Sequence, residues 1–138
     1  MKMALFKVFV GIAGLYHMLL GLCGLLMPIE MFADISGLIL GLRPEIDPQF
    51  HMAAKFASTY VLVFGVLLLV LFKDPIKHRL LAVPVLTLFG VRLINKLVFF
   101  GSIGQAFDVS FARNLFAVAI VAVFFFGILL TLPKAERG

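Results

Sequence analysis

The residues best equipped for chemistry lie in one short stretch, Val91-Arg92-Leu93-Ile94-Asn95-Lys96, inside an apolar run from Leu80 to Phe100. Arg92, Asn95 and Lys96 stand at i, i+3 and i+4, which on a helix gives them a common face. Two cations beside an amide suit the recognition of an anion, with the amide fixing its orientation. Other polar side chains interrupt the remaining apolar stretches: His17 in the first, Lys55 in the second and Arg113 in the fourth. His51 shares a face with Lys55 at i and i+4, and Tyr60 or Asn95 is a hydrogen-bonding candidate for His17. The candidate ligand-binding set is therefore Arg92, Asn95, Lys96, Lys55, Arg113, His17, His51 and Tyr60.

Other chemistries find no matching pattern. Three scattered histidines, the single Cys23 and no acidic pair within a span give no metal-ligand spacing. There is no nucleophile–base arrangement and no glycine-rich phosphate loop. A bis-histidine haem would need His17 and His51 at one depth, yet counting residues separates them by roughly 12 Å. The expectation is no catalytic residue, no metal and no cofactor. A lone cysteine also excludes an internal disulfide framework and a CxxC redox pair.

These residues are set in a very apolar chain. Of 138 residues 63% are hydrophobic and 14% charged, and mean hydropathy is +1.16. A soluble domain of this length needs a more polar surface, so the class is an integral membrane protein of one domain, residues 1–138. The net charge of +5 comes without a basic run, so nucleic acid is not an expected partner; the charge is read as topology information plus a buried cationic site.

Four apolar segments, at about 4–27, 50–72, 80–100 and 109–132, are each long enough to span a bilayer. The first is stopped by Pro28 and carries Gly14, His17, Gly21 and Gly24 on one stripe, which lets another helix approach closely. Lys2 and Lys7 at its start make a passable leader-like basic region, but no small-residue cleavage site follows, so it is expected to be retained. Between Pro28 and Pro48, the residues Ile29, Phe32, Ile35, Leu38, Ile39 and Leu42 follow helical spacing while Glu30 and Asp34 fall elsewhere. This predicts an amphipathic segment lying in the interface. Asp47-Pro48 is a start signal for the second span. A charged hairpin, Lys73 to Arg79, leads to the third span, where Pro84 either marks the start or kinks a helix begun at Pro75. Gly101-Ser102-Ile103-Gly104 is read as a turn, and Asp108 or Ser110 as the cap of the fourth span. The fold class is thus an all-α polytopic membrane protein, a four-transmembrane-helix bundle with an interfacial segment between its first two spans.

Lysine and arginine set the orientation. Lys2, Lys7, Lys73, Lys77, Arg79, Lys134 and Arg137 fall on the side of the two termini, against Arg43 alone in the opposite connections, so both termini are expected in the cytoplasm. Five of the seven acidic residues, Glu30, Asp34, Glu45, Asp47 and Asp108, fall on the outer side. Counting from segment midpoints puts Lys55, Lys96 and Arg113 roughly 8–11 Å toward that side, with Arg92 and His17 within roughly 2–3 Å of the middle. A charge near a span's centre costs about 2.5–3.5 kcal/mol on the insertion scale. Two readings follow. In one, Lys55, Lys96 and Arg113 reach outward and pair with the acidic residues as structural ties. In the other, Arg92 and Lys96 charge a pocket for an anionic ligand, Asn95 orients it, and the interfacial segment is its lid.

Further features stand together: a glycine-rich first span ending in Leu26-Met27-Pro28, a second opening on Lys55-Phe56, the turn Asp74-Pro75, and a third span with Arg92-x-x-Asn95-Lys96. In these the chain resembles the small four-span bacterial proteins of the BphX-like group, which look related to DoxX-like proteins. The resemblance implies a bacterial inner-membrane protein encoded beside aromatic-degradation enzymes and without an established activity. DoxX-like relatives are associated with quinone or sulfur redox complexes; the cysteine content gives no support to a thiol-redox role here.

The expected function is non-enzymatic: an outer-half cationic pocket binding a small anionic or aromatic compound, or a lipid headgroup, for uptake or sensing. One alternative is an accessory subunit that uses the glycine stripe (Gly14, Gly21, Gly24) to assemble with a larger membrane complex or a second copy of itself. A further alternative is a quinone-associated redox subunit. Beyond these the expected partner is the lipid bilayer.

Overall fold

A chain with few charges and long apolar runs must satisfy its backbone polar groups internally once it leaves water, and helices do so within each segment. The computed structural model describes residues 1–40 and 45–133, with side chains at all of these but 39 and 40. The expectations that fall on Gly41, Leu42 and Arg43, and on Lys134 and Arg137, lie outside the described residues, as does the side chain of Ile39. The chain forms α1 (Lys2–Leu26), α2 (Ile29–Leu40), α3 (Pro48–Lys73), α4 (Ala82–Val98), α5 (Phe100–Ala106) and α6 (Phe111–Thr131), with a 3-10 turn over Arg79–Leu81 before α4. No strand occurs among the described residues. Four helical stretches, α1, α3, Arg79–Val98 and α6, are long and apolar enough to cross a membrane. The protein is an all-α, four-span bundle of the multi-pass membrane class.

The helix ends follow local chemistry. Asp47 caps α3 by accepting from the Phe50 N–H at 2.6 Å, with Pro48 in the first position. Ser110, not Asp108, caps α6, its hydroxyl facing the Arg113 N–H at 3.4 Å. Asp108 instead takes a left-handed conformation, φ 50°, as the chain turns into that cap. Pro84 sits in the first turn of α4, so it marks a start; the 3-10 turn ahead of it means no kinked helix runs back to Pro75.

One expectation is corrected. The stretch Gly101-Ser102-Ile103-Gly104 is helical, because the hydrogen-bond ladder resumes one residue after α4 ends. Phe99 N–H reaches Asn95 O at 2.9 Å, and Ile103 N–H reaches Phe99 O at 2.8 Å. Two glycines lower helix propensity by about 1 kcal/mol each, yet both lie inside α5, and the break from α4 falls at Phe99.

The glycine stripe packs within the chain. Gly24 faces Ser58, Gly21 faces Leu62, Gly14 faces Leu68 and Leu69, and Gly11 faces Phe72, so α1 and α3 run antiparallel with their backbones in close approach. The contact is reciprocal, since Gly65 of α3 receives the backbone of α1 at Met18. That fifth small position shows in the sequence as Ser58 and Gly65, seven apart on one face. The face expected to meet an outside partner is thus already occupied.

The two ends of the bundle differ. Phe6, Val10, Ala13, Leu68, Leu71, Ala82, Val85, Phe89, Val121 and Ile128 form one buried cluster at the end that carries the N-terminus of α1 and the end of α6. Toward the other end α4 gives way early to the short α5. Of α2, Ile29 and Ala33 are buried while Ile35 and Leu38 stay exposed, so only its first turns dock on the bundle.

Gly21→Leu is expected to destabilise the bundle itself, because a Cβ there lies 2.5 Å from the Leu62 backbone nitrogen. Overpacking costs about 1–3 kcal/mol, and backbone that cannot yield puts this position at the upper end. Thermal unfolding in detergent should show a large loss, whereas Gly101→Ala, with open space around it, should not.

Candidate functional site

The interrupted packing toward the α5 end leaves a cleft of about 360 Å³ between α1, α4 and α6. Tyr16 and His17 line it from α1, Phe89, Arg92 and Lys96 from α4, and one face of α6 from Arg113 to Phe124, with Ile103 and Val109 near the mouth. Phe89 and Phe124 stack at 6.1 Å between ring centres and form the floor above the buried core. The cleft is therefore graded, with three cations toward one end and aromatic and aliphatic surface toward the other.

Arg92 is held by His17. The ring is buried, 4% exposed, with Nδ1 2.7 Å from the Ala13 carbonyl and Nε2 3.1 Å from the Arg92 guanidinium. A carbonyl only accepts and a guanidinium only donates. The imidazole must then carry its proton on Nδ1 and offer the Nε2 lone pair to Arg92, so it is uncharged. Phe64 and Phe89 pack edge-on against it at 5.0 and 5.9 Å and keep the ring in place. One guanidinium edge is thus fixed, and its remaining donors are available to the cleft.

The structure brings together four of the candidates: Arg92, Lys96, Arg113 and His17 line the cleft. It separates the other four. Asn95 is exposed and does not line the cleft. At about 100° per residue Phe89, Arg92 and Lys96 fall within roughly 60° of one another, while Asn95 lies roughly 60° beyond Arg92 on the other side. The common face read from i, i+3 and i+4 therefore splits at Arg92. Tyr60 is 76% exposed and His51 is exposed, both on α3, which contributes nothing to the cleft. His17 takes Arg92 as its partner in place of Tyr60 or Asn95.

Lys55 has a different task. Its ammonium donates to the carbonyls of Leu25 and Met27, both at 2.9 Å. These are among the last carbonyls of α1 and have no helical partner, so Lys55 acts as a side-chain cap joining α3 to the end of α1. It is tied to backbone oxygen and not to the acidic residues expected as its partners.

The lid also moves. Among the described residues none of α2 lines the cleft, while Ile103 of α5 and Val109 of the turn after it do. Asn114 fastens α5 to α6, being 2% exposed and donating through Nδ2 to the Phe100 carbonyl at 2.7 Å. Phe100 and Phe111 add an edge contact at 5.3 Å. Asn114 was missed by spacing arguments, although it is the one amide in the fourth span and follows Arg113 directly. No carboxylate among the described residues lines the cleft, and none of their His, Cys, Asp and Glu side chains gather in threes as a metal site would require. No family model, curated protein or solved structure matches the chain.

Lys55→Met should lower stability by about 1–3 kcal/mol, the cost of leaving buried carbonyls unpaired. Because Lys55 lies outside the cleft, ligand affinity should stay unchanged. A denaturation series run beside a binding titration separates the two effects.

Proposed function

We propose that this protein binds a small anionic compound with an apolar or aromatic body, or an anionic lipid headgroup, in the cleft between α1, α4 and α6, and does so without catalysis. One observation carries the reading: Arg92, Lys96 and Arg113 converge on an apolar cleft whose described lining holds no carboxylate. Cations in a medium of low dielectric are costly unless an anion or water compensates them. An anion of the right size supplies that compensation and gains charge-assisted hydrogen bonds in return. The aromatic floor, Phe89 and Phe124, favours a flat or flexible apolar body beneath the charge.

The resemblance to BphX-like proteins and the lysine and arginine bias support a bacterial inner-membrane setting with both termini in the cytoplasm, the cleft then facing the outer leaflet. Uptake or sensing of the bound compound is the corresponding role. The accessory-subunit reading draws no support from the glycine stripe, which α3 occupies. A reporter fused at either terminus should signal from the cytoplasm; signal from the opposite side overturns the orientation.

Binding can be measured by calorimetry with 2-naphthoate on protein in phosphatidylcholine nanodiscs. Saturable one-site binding is expected, and Arg92→Met should weaken it about 10- to 150-fold, the range of one charge-assisted hydrogen bond. Asn95→Ala should leave it unchanged. Absence of saturable binding, or equal affinity in Arg92→Met, would refute the proposal.

A further inference from the structure

The cleft's charge and shape narrow its ligand further, on the premise that the site binds an anion as proposed above. Charge comes first. Arg92 and Lys96 lie one helical turn apart on the same wall, and Arg113 faces them from α6. The partner holding Arg92 is an uncharged imidazole, which orients the guanidinium without neutralising it. A single carboxylate would therefore leave most of the positive charge uncompensated. A phosphate monoester carries about −1.5 to −2 at neutral pH and offers three acceptor oxygens, matching the three cations that line the cleft.

Shape comes second. The α6 face of the cleft runs from Arg113 to Phe124, eleven residues or roughly 16 Å of helix. A volume of about 360 Å³ lies near the small end of ligand pockets, which favours one slim apolar chain along that length. Lys96 and Arg113 stand at one end of that length and the Phe89–Phe124 stack at the other, with Arg92 one turn from Phe89 between them, so the charged head and the end of the chain have separate places. Access comes from the side: Ile12 and Tyr16 of α1 and Phe116 and Ile120 of α6 all line the cleft yet remain exposed on the outer surface of the bundle. In a spanning bundle that surface faces lipid, so the seam between α1 and α6 is an entrance from the bilayer.

We infer that the cleft takes a single-chain amphiphile ending in a phosphate monoester, drawn laterally from the membrane. The head rests among Arg92, Lys96 and Arg113, and the chain lies along α6 toward Phe124.

The test uses the full chain in phosphatidylcholine nanodiscs, titrated with dodecyl phosphate, dodecanoate and inorganic phosphate. Dodecyl phosphate should saturate one site and bind at least about tenfold more tightly than either of the others, as expected when both a second charge and a chain contribute. Lys96→Met should reduce dodecyl phosphate to the affinity of dodecanoate. Ala117→Phe fills the middle of the cleft while leaving every cation in place. With its thermal transition retained, it should lose dodecyl phosphate binding altogether.

Equal affinity for dodecanoate overturns the dianionic head. Equal affinity for inorganic phosphate overturns the chain and points to a water-borne anion, and unchanged binding in Ala117→Phe places the amphiphile outside the cleft. If 2-naphthoate binds and depends on Arg92 while neither alkyl compound binds, this inference fails and the broader reading stands. If none of these anions binds, both fail.

Discussion

A guanidinium near the middle of a membrane span must find its acceptors inside the protein. Water is distant and lipid offers none, and arginine keeps its charge at any accessible pH. In this protein the requirement falls on Arg92, and His17 answers part of it with one lone pair. That answer depends on the rest of α1. The Ala13 carbonyl fixes the proton on the far nitrogen, and Phe64 and Phe89 fix the plane of the ring. Had the imidazole taken the other tautomer, two donors would face each other. The His17–Arg92 pair therefore joins the first and third spans by a directional bond, as Lys55 joins the second span to the end of the first.

Shape is supplied unevenly. The α1–α3 contact is the tightest in the bundle because glycines on both helices remove the side chains that would hold the backbones apart. Lipid tails are as apolar as leucine, so close van der Waals packing is the main source of association between spans. With α1 and α3 fixed together, and with Lys55 fastening the end of α1 to α3, the remaining freedom lies on the side of α4 and α6. There the core is complete only around Phe89, Val121 and Ile128. Above it the early end of α4 leaves a volume that the short α5 covers without filling. The cleft is a consequence of one tight pair of helices and one looser pair.

The same asymmetry separates cations that stabilise from cations that are available. Lys55, Arg92, Lys96 and Arg113 look alike in composition, and all cost free energy in a span. Lys55 meets unpaired carbonyls at a helix end, a structural use that any long cationic side chain at that position could fill. Arg92 is held on one edge only, and Lys96 and Arg113 share its cleft without a carboxylate among the described lining. Electrostatics in the site is left to whatever enters it.

Much of this architecture was legible in the chain. A first apolar run ended by Pro28, a second opened by Pro48, capping residues such as Asp47 and Ser110, and the stripe through Gly14, Gly21 and Gly24 are local signals, because helix formation and close approach depend on neighbours a turn or two away. That Arg92 and His17 share a level followed from residue counting, since rise per residue is constant in a helix. What was not legible concerns direction around the helix and across it. Whether Asn95 or Lys96 shares the wall with Arg92 depends on where α4 faces, and that is set by α1 and α6. Whether α2 or α5 covers the cleft depends on which spans diverge, and Asn114 gains its place as a fastener only when Phe100 is brought beside it. By itself the sequence determined four spans, a polar cluster at one level and a close-packed first helix. Only the tertiary structure decided which cations point into a shared cavity and which one closes a helix end, because that choice is made by contacts between segments far apart in the chain.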